Sequence, residues 1–427
     1  MHDQDQHTPR HIAVIGAGIV GVATAVWLQR HGHRVTLIDR EGPAAGASFG
    51  NGGVLASSAV VPVPVPGIWA RAPRMLLDPR QPLFLRWGYL PRLAPWLLRY
   101  LSRANDADVR RIAAALTGLI ATSLDDHQAL AQGTQAEGLV VPTEYSYLYR
   151  DRAAYDADAY IWQIRRAFGF HWDELEGTAA RELDPALGPG IGFAARLPGH
   201  GRISDPGAYV ERLAAHVTAQ GGQVLRAEVR DFIHSDGRLT GLRLAGHDGQ
   251  QDTLSCDAAV LATGAWSGPL AAKLGVSLPM ESERGYHIDL WEPSHQLRAP
   301  VMVAAGKFVA VPMAGRLRLA GVVEYGGLQG GPSPAPFALL RRNLAQTFPD
   351  LRWREMTEWM GHRPVTADSL PLIGPAPGMS GVWLGLGHQH IGLTGGARTG
   401  QVLAQMISGQ QVNLPLEPFA PDRFQRR

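Results

Sequence analysis

The sequence predicts an α/β fold: a Rossmann-type dinucleotide-binding domain with an inserted α+β domain that contains an antiparallel sheet. Three observations carry that expectation. A glycine-rich turn, Gly16-Ala17-Gly18-Ile19-Val20-Gly21, joins a short apolar run to a helical pattern. Two further apolar runs, at 258–262 and 382–387, lead into glycine-bearing junctions far along the chain. Strand-like runs at 284–290, 307–312 and 316–320 read as a separate antiparallel sheet.

The elements follow in order. Residues 11–15 (HIAVI), a helical stretch over 22–31 and a second apolar run over 34–38 (RVTLI) make a strand–turn–helix–strand unit, with both strands buried and parallel. A Gly/Ala/Ser-rich segment, 42–58, precedes Pro62-Val63-Pro64-Val65-Pro66, whose three prolines force extended chain and suggest a crossing between domains. Residues 73–181 read as mostly helical, with the longest helix over 106–132 and the region forming a substrate-side cap. Asp205 and Pro206 suit the cap and first turn of a helix over 207–220. Runs at 224–229, 231–234 and 239–244 suggest a meander, and the last helix spans 392–407.

At 427 residues the chain exceeds what one core supports, so two interlocked domains are expected. Residues 1–60, 182–275 and 355–427 would form the nucleotide-binding domain, and 61–181 with 276–354 the substrate domain. Forty basic residues against 38 acidic ones leave a charge of +2, which argues against a nucleic-acid partner. The single cysteine, Cys256, excludes an intramolecular disulfide and a cysteine metal cluster. The polar stretch 1–10 reads as a frayed tail without a secretory signal, and no run has the roughly 18 uninterrupted apolar residues of a spanning helix. The expected location is cytoplasmic. Residues 87–101 (WGYLPRLAPWLLRYL) mix Trp, Leu, Tyr and Arg; burial against their own domain is favoured, with peripheral contact at the inner membrane face left open.

The glycine motif carries the first chemistry. The first glycine permits the tight turn, the second lets backbone approach a pyrophosphate, and the third allows close helix–strand packing. The helix N-terminus attracts phosphate charge. Asp39, eighteen residues after Gly21, is placed to accept from ribose hydroxyls. Two distant junctions, Thr263-Gly264-Ala265-Trp266 and Gly392-Leu393-Thr394-Gly395-Gly396, would touch a dinucleotide buried at full length.

Further segments carry a resemblance. They are residues 47–53 (ASFGNGG), 262–267 (ATGAWS), 284–287 (RGYH), 359–368 (WMGHRPVTAD), 370–375 (LPLIGP) and 387–394 (GHQHIGLT). On these the chain resembles the D-amino-acid oxidase family of FAD-dependent oxidoreductases, most closely its bacterial D-amino-acid dehydrogenase branch, over nearly its whole length. The resemblance implies a non-covalent FAD at the domain interface, reduced when an amine substrate loses hydride from its α-carbon to give an imine. The expected cofactor contacts are Gly16, Gly18, Ile19, Val20, Gly21, Asp39, Arg40, Ser48, Asn51, Gly52, Gly53, Val229, Thr263, Gly264, Trp266, His390, Gly392, Leu393 and Thr394.

Arg363 is the expected carboxylate contact, because a guanidinium grips a carboxylate through two parallel hydrogen bonds. The resemblance places Tyr286 and His287 near the flavin. Strand neighbours face opposite ways, so one of the two should reach the pocket, and Tyr286 is preferred. The substrate proton would leave to solvent or to His287. Tyr325, beside Glu324, is placed either in the same pocket or at the surface. His388 and His390 lack a third clustered ligand, and no metal is expected. Family members often read Gly-His-Gly where this chain has His388-Gln389, which puts the local backbone in question.

The implied reaction is oxidative deamination of a small D-amino acid or related secondary amine, with a quinone or dioxygen as electron acceptor. The segments 283–287, 306–308 and 387–394 favour D-proline or cis-4-hydroxy-D-proline. Two alternatives remain: oxidation of N-substituted glycines or opines, and a flavin subunit that works only with a heteromeric partner.

Overall fold

The computed structural model describes residues 9–70, 82–246 and 250–425. The tail at 1–8, and with it most of the stretch expected to fray, lies outside the described residues, as does the start of the expected helical region at 73–81.

Two sheets organise the chain. The first has eight strands in the order Gln251–Ser255, Arg238–Gly246, Gln223–Ser235, Arg34–Asp39, His11–Ile15, Ala258–Leu261, Val382–Leu386, Leu372–Pro375. Its centre is parallel, with His11–Ile15 between Arg34–Asp39 and Ala258–Leu261. Those strands are apolar on both faces because helices cover them: Ile12, Val14, Val35, Leu37 and Val260 are fully buried. The helix Ile19–Arg30 packs on this sheet and against the last helix, Gly392–Ile407.

The second sheet has ten strands in the order Glu355–Thr366, Met280–Trp291, Arg316–Tyr325, Phe308–Met313, Val301–Val303, Val140–Tyr149, Phe193–Ile203, Val54–Leu55; Leu83–Leu85 and Asp173–Glu176 pair off this path. The expected antiparallel sheet is present, its three runs falling in Met280–Trp291, Phe308–Met313 and Arg316–Tyr325. Sheet membership crosses the expected boundaries. Val54–Leu55, Phe193–Ile203 and Glu355–Thr366 all pair in the second sheet, although their numbers fall in ranges assigned to the nucleotide domain.

Three local expectations need correction. The single helix over 106–132 is two helices, Asp106–Ile120 and Ser123–Ala131. The apolar spacing continues across the break, where Thr122 Oγ1 donates to the Asp126 carboxylate at 2.9 Å. The mostly helical cap contains Val140–Tyr149, a ten-residue strand rich in the Val, Thr and Tyr that suit a half-buried pleat. The runs at 224–229 and 231–234 are one strand, Gln223–Ser235, broken by a register shift between Val229 and Asp231.

Other elements match their signals. Asp205 caps the helix Pro206–Ala219, accepting from the Ala208 amide at 3.1 Å. The helix Leu90–Leu101 buries Leu93, Trp96 and Tyr100 against Tyr325 and Val365, while Leu98 and Trp87 face outward. Among the described residues no helix is long and apolar enough to cross a membrane.

Candidate active site

All of the expected cofactor contacts except Gly21 and Gly53 line one cavity of about 1130 Å³ between the two sheets. Gly21 lies behind that wall: a Cβ there would sit 1.9 Å from the Gly16 carbonyl oxygen. Gly16 holds a positive φ of 105°, and a Cβ on it would meet the Ala262 carbonyl oxygen at 2.4 Å. The turn and the strand end therefore touch backbone to backbone, which only glycine allows.

Asp39 does more than wait for a ribose. One carboxylate oxygen accepts from the Ala17 amide at 2.9 Å, and the other from the amides of Glu41 and Gly42 at 2.9 and 3.1 Å. The residue fixes the phosphate turn while remaining on the cavity wall. Ser48 Oγ accepts from the Ile19 amide at 3.0 Å, supplying the helix Ile19–Arg30 with the cap that its own Gly18 cannot. Arg40 lies over the Trp266 ring at 4.7 Å on the cavity wall that Thr263, Gly264 and Val229 also line.

The junction His388 to Thr394 lines the same cavity. The helix Gly392–Ile407 starts without a side-chain cap, so its N-terminal amides open on the cavity. His127 fixes this first turn through Nε2 to the Leu393 carbonyl at 2.8 Å, and Thr394 Oγ1 donates to the Val54 carbonyl at 3.3 Å. Gln389 carries φ of 50° at a buried position. A side chain in the left-handed region is strained, and such strain clusters where a loop must hold one shape. His388 donates to or accepts from Thr399 Oγ1 at 3.0 Å. Among the described residues no group of three His, Cys, Asp or Glu side chains is clustered for a metal.

Two helix N-termini on one cavity, the first capped from outside by Ser48 and the second without a side-chain cap, with a backbone-only turn between strand and helix, fit a flavin dinucleotide. The first N-terminus suits the pyrophosphate. The second suits the flavin's pyrimidine edge, where negative charge gathers on reduction.

Arg363 stands on the cavity wall, on Glu355–Thr366, opposite Glu283 in the register of Met280–Trp291. Its Nη1 donates to Glu283 Oε1 at 2.7 Å, the sole hydrogen bond that its side chain makes among the described residues. The guanidinium lies flat over Gly285: a Cβ on that glycine would be 2.6 Å from its central carbon. Tyr325 reaches the same pocket, its hydroxyl 3.5 Å from Glu283 Oε2. Burial, then the Glu283 charge, pushes that phenol well above its usual range, so it stays protonated and donates. Leu83, Leu85, Leu93, Leu97 and Tyr100 complete an apolar wall.

Of the two strand neighbours, Tyr286 lines the cavity and His287 does not. The Tyr286 hydroxyl is engaged within the wall: it donates to Glu324 Oε2 at 2.8 Å and accepts from the Ser333 amide at 3.0 Å, and its ring packs on Phe337. Strand alternation puts it on the face of Arg284, whose Nη1 bonds Glu324 at 3.1 Å. Glu324 is buried there, neither at the surface nor in the pocket. His287 lies behind the wall, stacked on Trp359 at 5.1 Å, with Nδ1 3.0 Å from the Gly50 carbonyl. Burial, then the Arg318 charge, drives it down to about 3. It stays neutral and out of reach as a proton acceptor.

Sequence reasoning missed Glu283, the cross-strand neighbour of Arg363. It also missed a second arm of the cavity lined by Tyr145, Tyr147 and Arg165. Arg165 donates to the Ser58 carbonyl at 3.2 Å and the Tyr147 hydroxyl at 2.8 Å, between the rings of Tyr147 and Trp162.

A family model described as FAD dependent oxidoreductase (DAO) matches residues 11–406. The chain is 39% identical over 422 residues to a D-amino-acid oxidase of Bradyrhizobium diazoefficiens, covering 97% of this chain and 99% of the relative. It is 30% identical over 419 residues to a D-amino acid dehydrogenase of Dechloromonas aromatica, covering 96% and 99%. Among solved structures, glycine oxidase from Geobacillus kaustophilus aligns with a TM-score of 0.72 at 23% identity, over 97% of this chain and 99% of that one.

Proposed function

The chain belongs to the DAO family of FAD-dependent oxidoreductases, and from that premise we propose that it oxidises small, apolar D-amino acids, cyclic ones of the D-proline type included. One observation carries the reading: Arg363 presents a guanidinium to an apolar pocket with its Nε and Nη2 free of hydrogen bonds among the described residues. A carboxylate docks there by two parallel bonds, which fixes the α-carbon relative to whatever lies beneath. The D-configuration rests on the names of the relatives, one an oxidase and one a dehydrogenase of D-amino acids.

The chain's own residues bind and orient. Gly285 lets the guanidinium lie against the strand, Tyr325 donates within the pocket, and the leucines around Tyr100 exclude water. Bound FAD supplies the chemistry by accepting hydride from the α-carbon. Cys256 does not line the cavity, and the cofactor is expected to be released intact on denaturation.

The test is an anaerobic absorbance titration of the FAD-loaded protein with D- and L-alanine, D-proline, cis-4-hydroxy-D-proline, sarcosine and an opine. Bleaching by the D-amino acids alone supports the reading. Bleaching by sarcosine or an opine alone moves the substrate class to N-substituted amino acids, and no bleaching by any of them removes the proposal. Reoxidation of the bleached protein with dioxygen or a short-chain quinone assigns the acceptor.

A further inference from the structure

We propose that Glu283 is the second half of a zwitterion clamp: it binds the substrate ammonium while Arg363 binds the carboxylate, so the pocket selects amino acids over simple carboxylic acids. The inference rests on Arg363 as the carboxylate contact and adds a residue that selects for the amine.

Glu283 is 7% exposed, and what surface it has opens on the cavity beside Arg363. Its carboxylate is held from two sides, by Arg363 Nη1 at 2.7 Å and by the Tyr325 hydroxyl at 3.5 Å. A purely structural ion pair of this kind would close both partners off. Here Arg363 keeps two donor nitrogens unused among the described residues, and both residues line the cavity. Neither charge has another partner of opposite sign within 4 Å among the described residues.

The charge balance then decides what can enter. Without substrate, Glu283 satisfies Arg363 and the pocket is neutral. An amino-acid zwitterion exchanges one ion pair for two: its carboxylate takes Arg363, its ammonium takes Glu283, and neutrality holds. A carboxylate without an amine finds the same free edge of the guanidinium but leaves two negative groups sharing one positive in a poorly solvated site. An N-acylated amino acid meets the same obstacle. A protonated secondary amine still carries two N–H donors, so a cyclic imino acid remains acceptable.

The experiment compares the FAD-loaded wild type with Glu283→Gln, Glu283→Asp and Arg363→Met. Propionate binding is read from perturbation of the flavin absorbance, and D-alanine and D-proline from the substrate dependence of anaerobic flavin reduction. The clamp predicts opposite shifts in Glu283→Gln, each about tenfold, the scale of one charge-assisted hydrogen bond. Propionate binds tighter and the amino acids bind weaker. Glu283→Asp returns both toward wild type, and Arg363→Met weakens both. Shifts of the same sign in Glu283→Gln, as a merely structural pair would give, overturn the clamp, and so does an unchanged propionate affinity. A wild-type flavin that neither amino acid reduces overturns the proposed reaction instead, while the propionate comparison still decides whether Glu283 disfavours a lone carboxylate at Arg363.

Discussion

At the scale of single residues, the site is built as much by missing side chains as by present ones. Gly285 is the sharpest case, since the Arg363 guanidinium occupies the space where its Cβ would stand. Gly285→Ala should leave the fold intact, because the colliding atoms are the end of a long side chain that can swing aside. It should displace the guanidinium and raise the amino-acid KM by about tenfold or more, as expected when a charge-assisted bond is lost. A Tm within a few degrees of wild type alongside a raised KM is the expected pair of results; an unchanged KM would show that Arg363 does not hold the carboxylate. Arg363 was legible from its local motif. Glu283 was not, because it meets Arg363 only through pairing of strands 80 residues apart, and no local pattern announces a cross-strand partner. Of Tyr286 and His287 it is Tyr286 that lines the cavity, but alternation does not say where a side chain's polar end is spent, and the Tyr286 hydroxyl bonds Glu324 and Ser333 within the wall.

At the scale of elements, the second sheet does more than roof the cavity: it holds the loop that carries Gly50, Asn51 and Gly52. Arg318 on Arg316–Tyr325 donates from Nη1 to the carbonyls of Phe49 and Asn51 at 3.0 and 2.8 Å. Asp289 on Met280–Trp291 holds that guanidinium by two bonds of 2.7 Å. Burial raises the Asp289 carboxyl, but the bonds and charge of Arg318 outweigh it and hold the group below its ordinary range. Asp289→Asn leaves Arg318 buried without its counter-charge, a change that costs about 3–5 kcal/mol in comparable pairs. The expected result is a markedly lower Tm together with weaker FAD retention, both measurable by following flavin fluorescence during heating. A variant that lost stability yet kept its FAD affinity would mean that the loop is not anchored from the roof. Strong local signals made the parallel core, the capped helix Pro206–Ala219 and the three antiparallel runs readable. The break between Asp106–Ile120 and Ser123–Ala131 was hidden because apolar spacing runs through it. The strand Val140–Tyr149 was absorbed into a helical region, since its pairing partners lie far away at 193–203 and 301–303.

At the scale of the whole molecule, two sheets and a cavity between them followed from three distant glycine junctions, whereas the order of the ten-stranded sheet depends on long-range pairing that no motif encodes. The layers around the cavity are joined by three buried histidines. His127 links the helix Ser123–Ala131 to Tyr209 at 2.9 Å and to the first turn of the last helix through Leu393. His388 ties the junction after Val382–Leu386 to Thr399, and His287 ties the roof to Gly50. Burial pushes His127 and His388 down to about 4, and His287 to about 3, each from an ordinary 6.5. Asp289 acts on His287 in the opposite sense, but burial and the arginines Arg318 and Arg316 prevail. Between those values the unfolded chain binds protons that the folded one refuses, so folding stability is whole above pH 6.5 and falls as the pH drops toward 4. Each histidine contributes up to about 1.4 kcal/mol per pH unit in that window. Depressed carboxyls such as Asp289 act at lower pH, below their ordinary 3.8, so the two effects separate. We therefore expect Tm to decline steadily from pH 7 to pH 5 with FAD released in parallel, because all three histidines brace the walls of one cavity. His127→Phe should reduce that slope, and its loss of the Leu393 and Tyr209 bonds should lower Tm at pH 8. A Tm that stays level between pH 7 and pH 5 would mean that these histidines take up protons in the folded state, and that the cavity walls do not depend on their neutrality.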